Sequence, residues 1–514
     1  AGLAAGAALG HPLVAAAIAA ALWLAWRLGG FAGVFAVCLG VVALGSASIH
    51  VLKAPGLDER WIALGTLALW PLVSRRPVRV LVPRLLLAAG GALAVLAFIS
   101  ATWSVDPWLT LQRSASFAAL LWVALVVVPL HAATPAERRE LVVGLGVLCG
   151  AGALTAFVAG LASPSTARAT PRAFVYFNGL PDLPEIGPLR GWLETSNTLG
   201  IWCALLLPFL MRVRRRAVAV PAVILTVAVI LWSYSRAALV VLVIVLAWHA
   251  YAARPRSLAL GALIVAAAVL VVPLRSAVVT NSALAKFQRA GGSDRSLLGG
   301  RLEAWDATVD LIRAAPMSGF GFGTGDRLFK RSGANHRFVY FTGANSADAY
   351  LQAVVEVGPV GLIALVAALA GGLGSGLRRR MWSPDRGAFV LASIGFAVTG
   401  VTESMFTSAG SAFTLLMWSS LGVASAGALR PGYVGVATVH ARRLVGAPVA
   451  EPLVALLPDG VAEEEVVATN GRRDHAVSRG GSRNGSADLA ADIARVQVGA
   501  EDEAEGRIPG DRPA

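Results

Sequence analysis

The sequence predicts an all-α polytopic membrane protein, with about 12–14 transmembrane helices and a long, partly helical loop on its outer (periplasmic-side) face. Three observations predict it. Hydrophobic residues make up 56% of the 514 positions and charged residues only 14%, against about a quarter charged in soluble domains. The apolar residues fall in long runs, and a spanning helix needs about 20 of them. Arginines cluster in the short gaps between the runs. Together these exclude an ordinary soluble enzyme. Cys38, Cys149 and Cys203 all lie inside apolar runs. They read as small packing residues, and neither a disulfide framework nor a cysteine metal site is expected.

Runs of spanning character occupy roughly 11–28, 31–51, 60–75, 83–100, 114–130, 140–162, 197–211, 217–233, 236–252, 257–274, 346–373, 386–407 and 409–428. The first has no basic leader and many spans follow it, so it reads as a helix and not as a cleaved signal peptide. Five arginine clusters orient the set: Arg75, Arg76 and Arg79; Arg138 and Arg139; Arg212, Arg214, Arg215 and Arg216; Arg254 and Arg256; Arg378, Arg379 and Arg380. With these spans all five fall on one side, which the positive-inside rule makes cytoplasmic.

Two gaps on the opposite side are long, about 163–196 and 275–345. Long connections tend to be functional or disordered. The second carries an amphipathic run, Arg301–Arg313, with Leu302, Trp305, Val309 and Ile312 at near-helical spacing. Pro316 and Gly319 stop that helix. The loop is basic, the reverse of the topological default. It is either a tolerated solvated loop or the holder of an anionic ligand at the membrane–water boundary. The domain reading is a bundle over 1–430, the outer loop 275–345 inserted in it with a helix near 301–313, and a tail over 431–514. From Glu451 onward there are thirteen acids and seven arginines, so the chain's net +14 is a body of +20 carrying a tail of −6. Rich in Gly, Ser and charge and poor in aromatics, the tail reads as disordered and cytoplasmic.

Arg236 sits between two apolar runs, beside Ser233, Tyr234 and Ser235. A charge at a membrane edge is costly unless it snorkels or pairs. A guanidinium fork also matches phosphate oxygens and stays charged. Arg301 opens the loop helix after Gly299-Gly300, where a helix N-terminus favours anions. Arg190 precedes Trp192, Glu194 and Asn197 at a helix mouth, a set suited either to sugar or phosphate binding or to a local salt bridge and cap. Gly319-Phe320-Gly321-Phe322-Gly323 lacks GxGxxG spacing and a Walker lysine, so it reads as a tight turn. The histidines are scattered, and His336 alone lies in the long outer loop. No metal or other cofactor is expected.

These pieces, taken in order, resemble the O-antigen ligase and O-antigen polymerase superfamily of inner-membrane glycosyltransferases. Trp103-Ser104-Val105-Asp106-Pro107 resembles its W-S-x-D-P. Arg190-Gly191 with Asn197 to Gly200 resembles R-G…N-x-x-G, and Ser233 to Arg236 resembles S-x-S-R. Gly300-Arg301 through Trp305, Pro316, Gly319 and Gly321 resembles the loop helix, while Tyr350-Leu351-Gln352 with Glu356, Gly358 and Gly361 resembles the helix that closes the loop. The resemblance spans roughly 80–430. One departure matters: the family's ligases commonly carry a histidine four residues before the leucine that is Leu351 here, and that position is Ala347. The resemblance gives that histidine a part in activating the acceptor. Here Asp348 or His336 is the substitute, or the chain is an inactive or diverged paralogue.

The resemblance implies a membrane glycosyltransferase of polysaccharide and cell-envelope biosynthesis. Its donor is a polyprenyl-diphosphate-linked glycan, of the undecaprenyl diphosphate kind, and its acceptor a glycan or lipid. Arg190, Arg236 and Arg301 are the expected substrate-binding residues and Asp348 and His336 the catalytic candidates. Ligase and polymerase differ only in acceptor. The competing class is a transporter or flippase of an anionic lipid-linked substrate, but no repeat halves are visible. Nucleic acid is not an expected partner.

Overall fold

The computed structural model describes residues 12–47, 60–162, 189–233, 235–253, 301–314, 317–332, 346–378 and 383–427, all within one compact unit, Ala1–Ala428. The expected span 257–274, Tyr234, His336 and the tail lie outside the described residues.

The apolar runs are helices. They are α1 (Pro12–Leu44), α2 (Arg60–Ser74), α3 (Arg84–Ile99), α4 (Pro107–Leu130), α5 (Pro135–Ala162), α6 (Ser196–Leu210), α7 (Arg216–Trp232) and α8 (Arg236–Ala253). After the outer-loop helices α9 (Arg301–Ala314) and α10 (Gly325–Arg331) come α11 (Ala349–Gly376), α12 (Pro384–Thr399) and α13 (Ala412–Ser425). Among the described residues the non-helical pairing is an isolated bridge between Ala47 and Leu193. Five helices, from α1, α3, α4, α5 and α11, are long and apolar enough to cross a membrane, and α6, α7, α8 and α13 are shorter apolar helices. The protein is an all-α multi-pass membrane protein. The two predicted runs 11–28 and 31–51 meet at Gly30, whose φ of 54° kinks α1 where the sequence placed the break.

Burial sorts these helices by role. Every residue of α6 from Leu199 to Leu210 is buried, as is every residue of α13. A helix apolar on all sides belongs inside, and α6 packs on α5, α7, α8 and α12. The outer helices are one-faced. On α3, Leu86, Ala89, Leu93 and Ala97 are buried at helical spacing while Leu85, Val95 and Phe98 are exposed. Leu72, Ile224 and Ile363 are 75%, 64% and 67% exposed on other helices. Apolar surface on this scale is a liability in water and is satisfied by lipid.

The two ends of the bundle differ. At one end the arginine-rich loops meet: Arg76 pairs with Glu137 at 2.5 Å, and Arg139 with Asp385 at 2.8 Å. Arg139 also donates to the Arg212 carbonyl at 2.5 Å. The other end gathers the segments around 100–106, 189–195, 233, 235–236, 301–314, 317–332, 346–358 and 400–411.

The loop helix α9 packs on α11 by a different face from the one the spacing suggested. Ala304, Ala307, Thr308 and Leu311 are buried, whereas Leu302 is 44% exposed. Small side chains let two helices approach closely, and this outweighs the bulk of Leu302, Trp305, Val309 and Ile312.

Candidate functional site at the loop end

The segment before α6 is fixed by its backbone. Leu189 N–H donates to the Trp232 carbonyl at 2.9 Å, and Glu194 N–H to the Ser46 carbonyl at 2.8 Å. Arg190 is buried in this turn, with Nη1 donating to the Glu194 carbonyl at 3.3 Å. The Asn197–Gly200 stretch then lies directly on the Ser233–Arg236 turn. A Cβ at Gly200 would stand 2.3 Å from Ser233 Oγ and 2.7 Å from Ser235 Cβ, so any larger residue would push the two apart. Ser235 Oγ donates to Asn197 Oδ1 at 2.5 Å and accepts from Ala238 N–H at 3.3 Å, capping α8. Arg236 is the first residue of that helix and is half-buried. Two motifs separated in sequence are therefore one packed unit.

Arg301 joins this unit from the loop. Its Nε donates to the Thr402 carbonyl at 2.9 Å and its Nη2 to Glu403 Oε1 at 2.6 Å. The same Glu403 oxygen accepts from Asn197 Nδ2. A continuous chain thus runs Arg301–Glu403–Asn197–Ser235, ending one residue from Arg236. Glu403 and Asn197 organise the site; Asn197 was named with Arg190 at the helix mouth, and Glu403 was not among the expected residues. A signal for Glu403 exists: it is the only acid between Asp385 and Glu451, at the end of an apolar run, and an isolated carboxylate there needs a partner.

Asp348 lies just before α11. Its Oδ1 accepts from Tyr350 N–H at 2.7 Å and Leu351 N–H at 2.8 Å, so it is the N-cap of the helix. Burial pushes its carboxyl above the ordinary range, and the two backbone donors pull the other way. Ala347 has a left-handed φ of 49°, uncommon for a residue with a Cβ. That turn lets Ser346 Oγ donate to the Asp348 carbonyl at 2.7 Å. Ala349 N–H donates to the Gly400 carbonyl at 2.7 Å and Tyr350 Oη to the Ala397 carbonyl at 2.9 Å. The end of α12 and the four residues after it therefore position both Asp348 and Arg301.

The remaining motifs build the scaffold. Gly358 breaks α11 with φ 74°, and Pro359 follows with no N–H to give. The Val355 carbonyl, which an unbroken helix would pair with residue 359, accepts from Phe320 N–H at 2.9 Å, and the Glu356 carbonyl from Gly321 N–H at 2.9 Å. The glycine turn 319–323 thus repairs the broken helix. It is clasped on its other side by the Trp103–Pro107 motif: Trp103 Nε1 donates to the Ser318 carbonyl at 3.3 Å and Val105 N–H to the Phe320 carbonyl at 3.1 Å. Asp106 caps α4 through Leu109 N–H at 3.0 Å and pairs with Arg327. Arg331 donates to the Val105 carbonyl at 2.9 Å, and Arg313 pairs with Asp310 at 3.4 Å. Among the described residues of the loop, Arg313, Arg327 and Arg331 are tied into the scaffold, and Arg301 reaches the Asn197–Ser235 unit.

The family model described as O-antigen ligase matches residues 221–366. A search of the curated proteins finds no match. The matched stretch runs from within α7 to the middle of α11 and contains Arg236, Arg301, Ala347 and Asp348. That match falls on the segment that supplies the turn, the loop helix and the capped helix start, and it supports the resemblance to the O-antigen ligase and O-antigen polymerase superfamily.

Proposed function

We propose that the protein is a glycosyltransferase of the bacterial cytoplasmic (inner) membrane. It moves a glycan from a polyprenyl diphosphate, such as undecaprenyl diphosphate, onto a glycan or lipid acceptor. The observation that carries this reading is the chain Arg301–Glu403–Asn197–Ser235 beside Arg236, at the end of the bundle opposite the arginine-rich loops. With those loops in the cytoplasm, the site opens on the outer side, where finished lipid-linked glycans are presented.

The chemistry follows from the residues. The acceptor hydroxyl oxygen attacks the anomeric carbon. The bond from that carbon to the diphosphate oxygen breaks, and its electron pair leaves with the diphosphate. Arg236 and Arg301, supported by Arg190, stabilise that charge. Glu403 and the Thr402 carbonyl hold Nη2 and Nε of Arg301, and Nη1 takes no part in those bonds, so the fork reaches the ligand already oriented. Asp348 accepts the acceptor's proton; His336, also proposed for this step, lies outside the described residues.

Donor affinity and turnover in Arg236→Ala and Arg301→Ala, at matched protein levels in membranes, test the reading. A charge-assisted hydrogen bond is worth about 1.5–3 kcal/mol, so each variant should lose at least about tenfold in donor affinity. Lysine should rescue only partly, since it keeps the charge and loses the fork. Wild-type donor affinity in both alanine variants would remove the diphosphate site.

A further inference from the structure

Beside the Asp348 turn, a cleft of about 380 Å³ opens between the start of α2, the first half of α4, the start of α11 and the loop after Glu403. Its volume lies in the lower part of the range of about 300–1,000 Å³ for small-molecule sites. Its walls are chemically unlike the arginine site. Two guanidiniums, Arg60 and Arg113, stand with two carboxylates, Asp326 and Glu356, so the formal charges cancel. Arg113 is held by Asp326 at 2.9 Å and by the Gly323 carbonyl.

Glu356 is the informative residue. It is 4% exposed. Its Oε1 accepts from Gln352 Nε2 at 2.6 Å and Gly325 N–H at 3.4 Å. Its Oε2 is buried and makes no hydrogen bond of ordinary geometry among the described residues, although the Gly323 backbone N–H lies close to the carboxylate. Ser116, 2% exposed on the facing wall, likewise has a buried Oγ with no partner among the described residues. Buried polar atoms are nearly always bonded, and an unmet carboxylate oxygen costs more than a neutral one. The two residues that carry these atoms line one cleft, which marks where a ligand's donors belong.

The ligand's chemistry follows by elimination. A diphosphate has nothing to donate to Glu356 and is repelled by two carboxylates. An acyl chain would leave Glu356 and Ser116 unsatisfied. A polyhydroxyl ring both donates and accepts, and suits walls of mixed acceptors and hydroxyls with no net charge. We propose that this cleft is a subsite for a neutral saccharide unit, anchored by hydrogen bonds from its hydroxyls to Glu356 Oε2 and Ser116 Oγ. The proposal rests on the glycosyl-transfer reading, and the saccharide belongs to the glycan of either the donor or the acceptor.

The test is calorimetric titration of the full-length protein in detergent. The probe is the oligosaccharide released by mild acid from the producing cell's own lipid-linked glycans. Glu356→Gln keeps size and replaces an acceptor by a donor, and should weaken binding about tenfold. Ser116→Ala should weaken it about threefold. Ser408→Trp, on an exposed part of the wall, should block binding without entering the core, which covers the case of a Glu356 variant that fails to fold. Inorganic pyrophosphate is titrated in parallel and should bind all three variants as it binds the wild type. In the transfer assay, a raised KM for the donor or for the acceptor in Ser408→Trp identifies the source of the saccharide. Saccharide binding that is absent in the wild type, or equal in the wild type and Ser408→Trp, overturns the subsite even if transfer is observed. Binding that is lost in the variants of a protein showing no transfer upholds the subsite while the transfer reading fails.

Discussion

Asp348 has two duties that substitutions can separate. As N-cap it holds two backbone N–H groups with one oxygen, and asparagine caps as well as aspartate does. Asp348→Asn should therefore leave thermal stability in detergent nearly unchanged, whereas Asp348→Ala should lose about 1 kcal/mol. If the carboxylate is the base, Asp348→Asn should still lower turnover by about 10²-fold or more with little change in donor affinity. Unchanged turnover would move the base to His336 or water. The pH dependence has a definite sign. Burial raises this carboxyl's pKa, and a base works deprotonated, so the acid limb of turnover should lie above the ordinary aspartate range and rise with pH. The linked stability runs the other way. A pKa raised on folding gives a contribution present below the unfolded value and lost as pH rises through the folded one. Glu403→Ala should cost Arg301 its orientation: donor affinity falls toward that of Arg301→Ala, and a double variant with Arg301→Ala is less than additive. Full additivity would separate the two residues.

The helices were legible because a membrane span is written as an uninterrupted apolar run, and even the division of α1 at Gly30 follows from the run boundaries. What was not legible depends on neighbours. Only packing on α11 decides which face of α9 is buried, and the small residues won over the bulky ones. The arginines of the site were legible as charges at span ends, but Glu403 and Asn197, which connect them, meet across more than two hundred positions. The break in α11 at Gly358-Pro359 lay inside a run read as one continuous span, and neither it nor its repair by the 319–323 turn was anticipated. That repair is testable. Pro359→Ala supplies the missing N–H, which competes with Phe320 for the Val355 carbonyl. Limited proteolysis should then cut within 317–332 faster than in the wild type while the spans stay protected. A Cβ at position 358 would stand 2.0 Å from the Met317 carbonyl oxygen, so Gly358→Ala should displace the turn and abolish activity. Wild-type proteolysis and activity in both variants would contradict the docking of turn on helix.

At the scale of the molecule, the two ends divide the work. The arginine end ties its loops together by ion pairs, and the loop end gathers the polar residues that the spans would otherwise exclude. The topology predicts that a cysteine at Ser332 is labelled by an impermeant thiol reagent in intact spheroplasts, and that one at Ser478 is labelled only after lysis. The reverse pattern would invert the bundle and put the site on the wrong side for its proposed donor. The most direct test of the account is the reaction itself. The purified full-length protein is given a glycan on polyprenyl diphosphate, together with a candidate acceptor, and the products are separated and weighed. Glycosyl transfer predicts a new glycosidic bond on the acceptor and one free polyprenyl diphosphate per bond formed, both lost in Arg236→Ala. Donor that crosses a vesicle bilayer intact, with no new bond and no released polyprenyl diphosphate, would contradict it and make the protein a transporter.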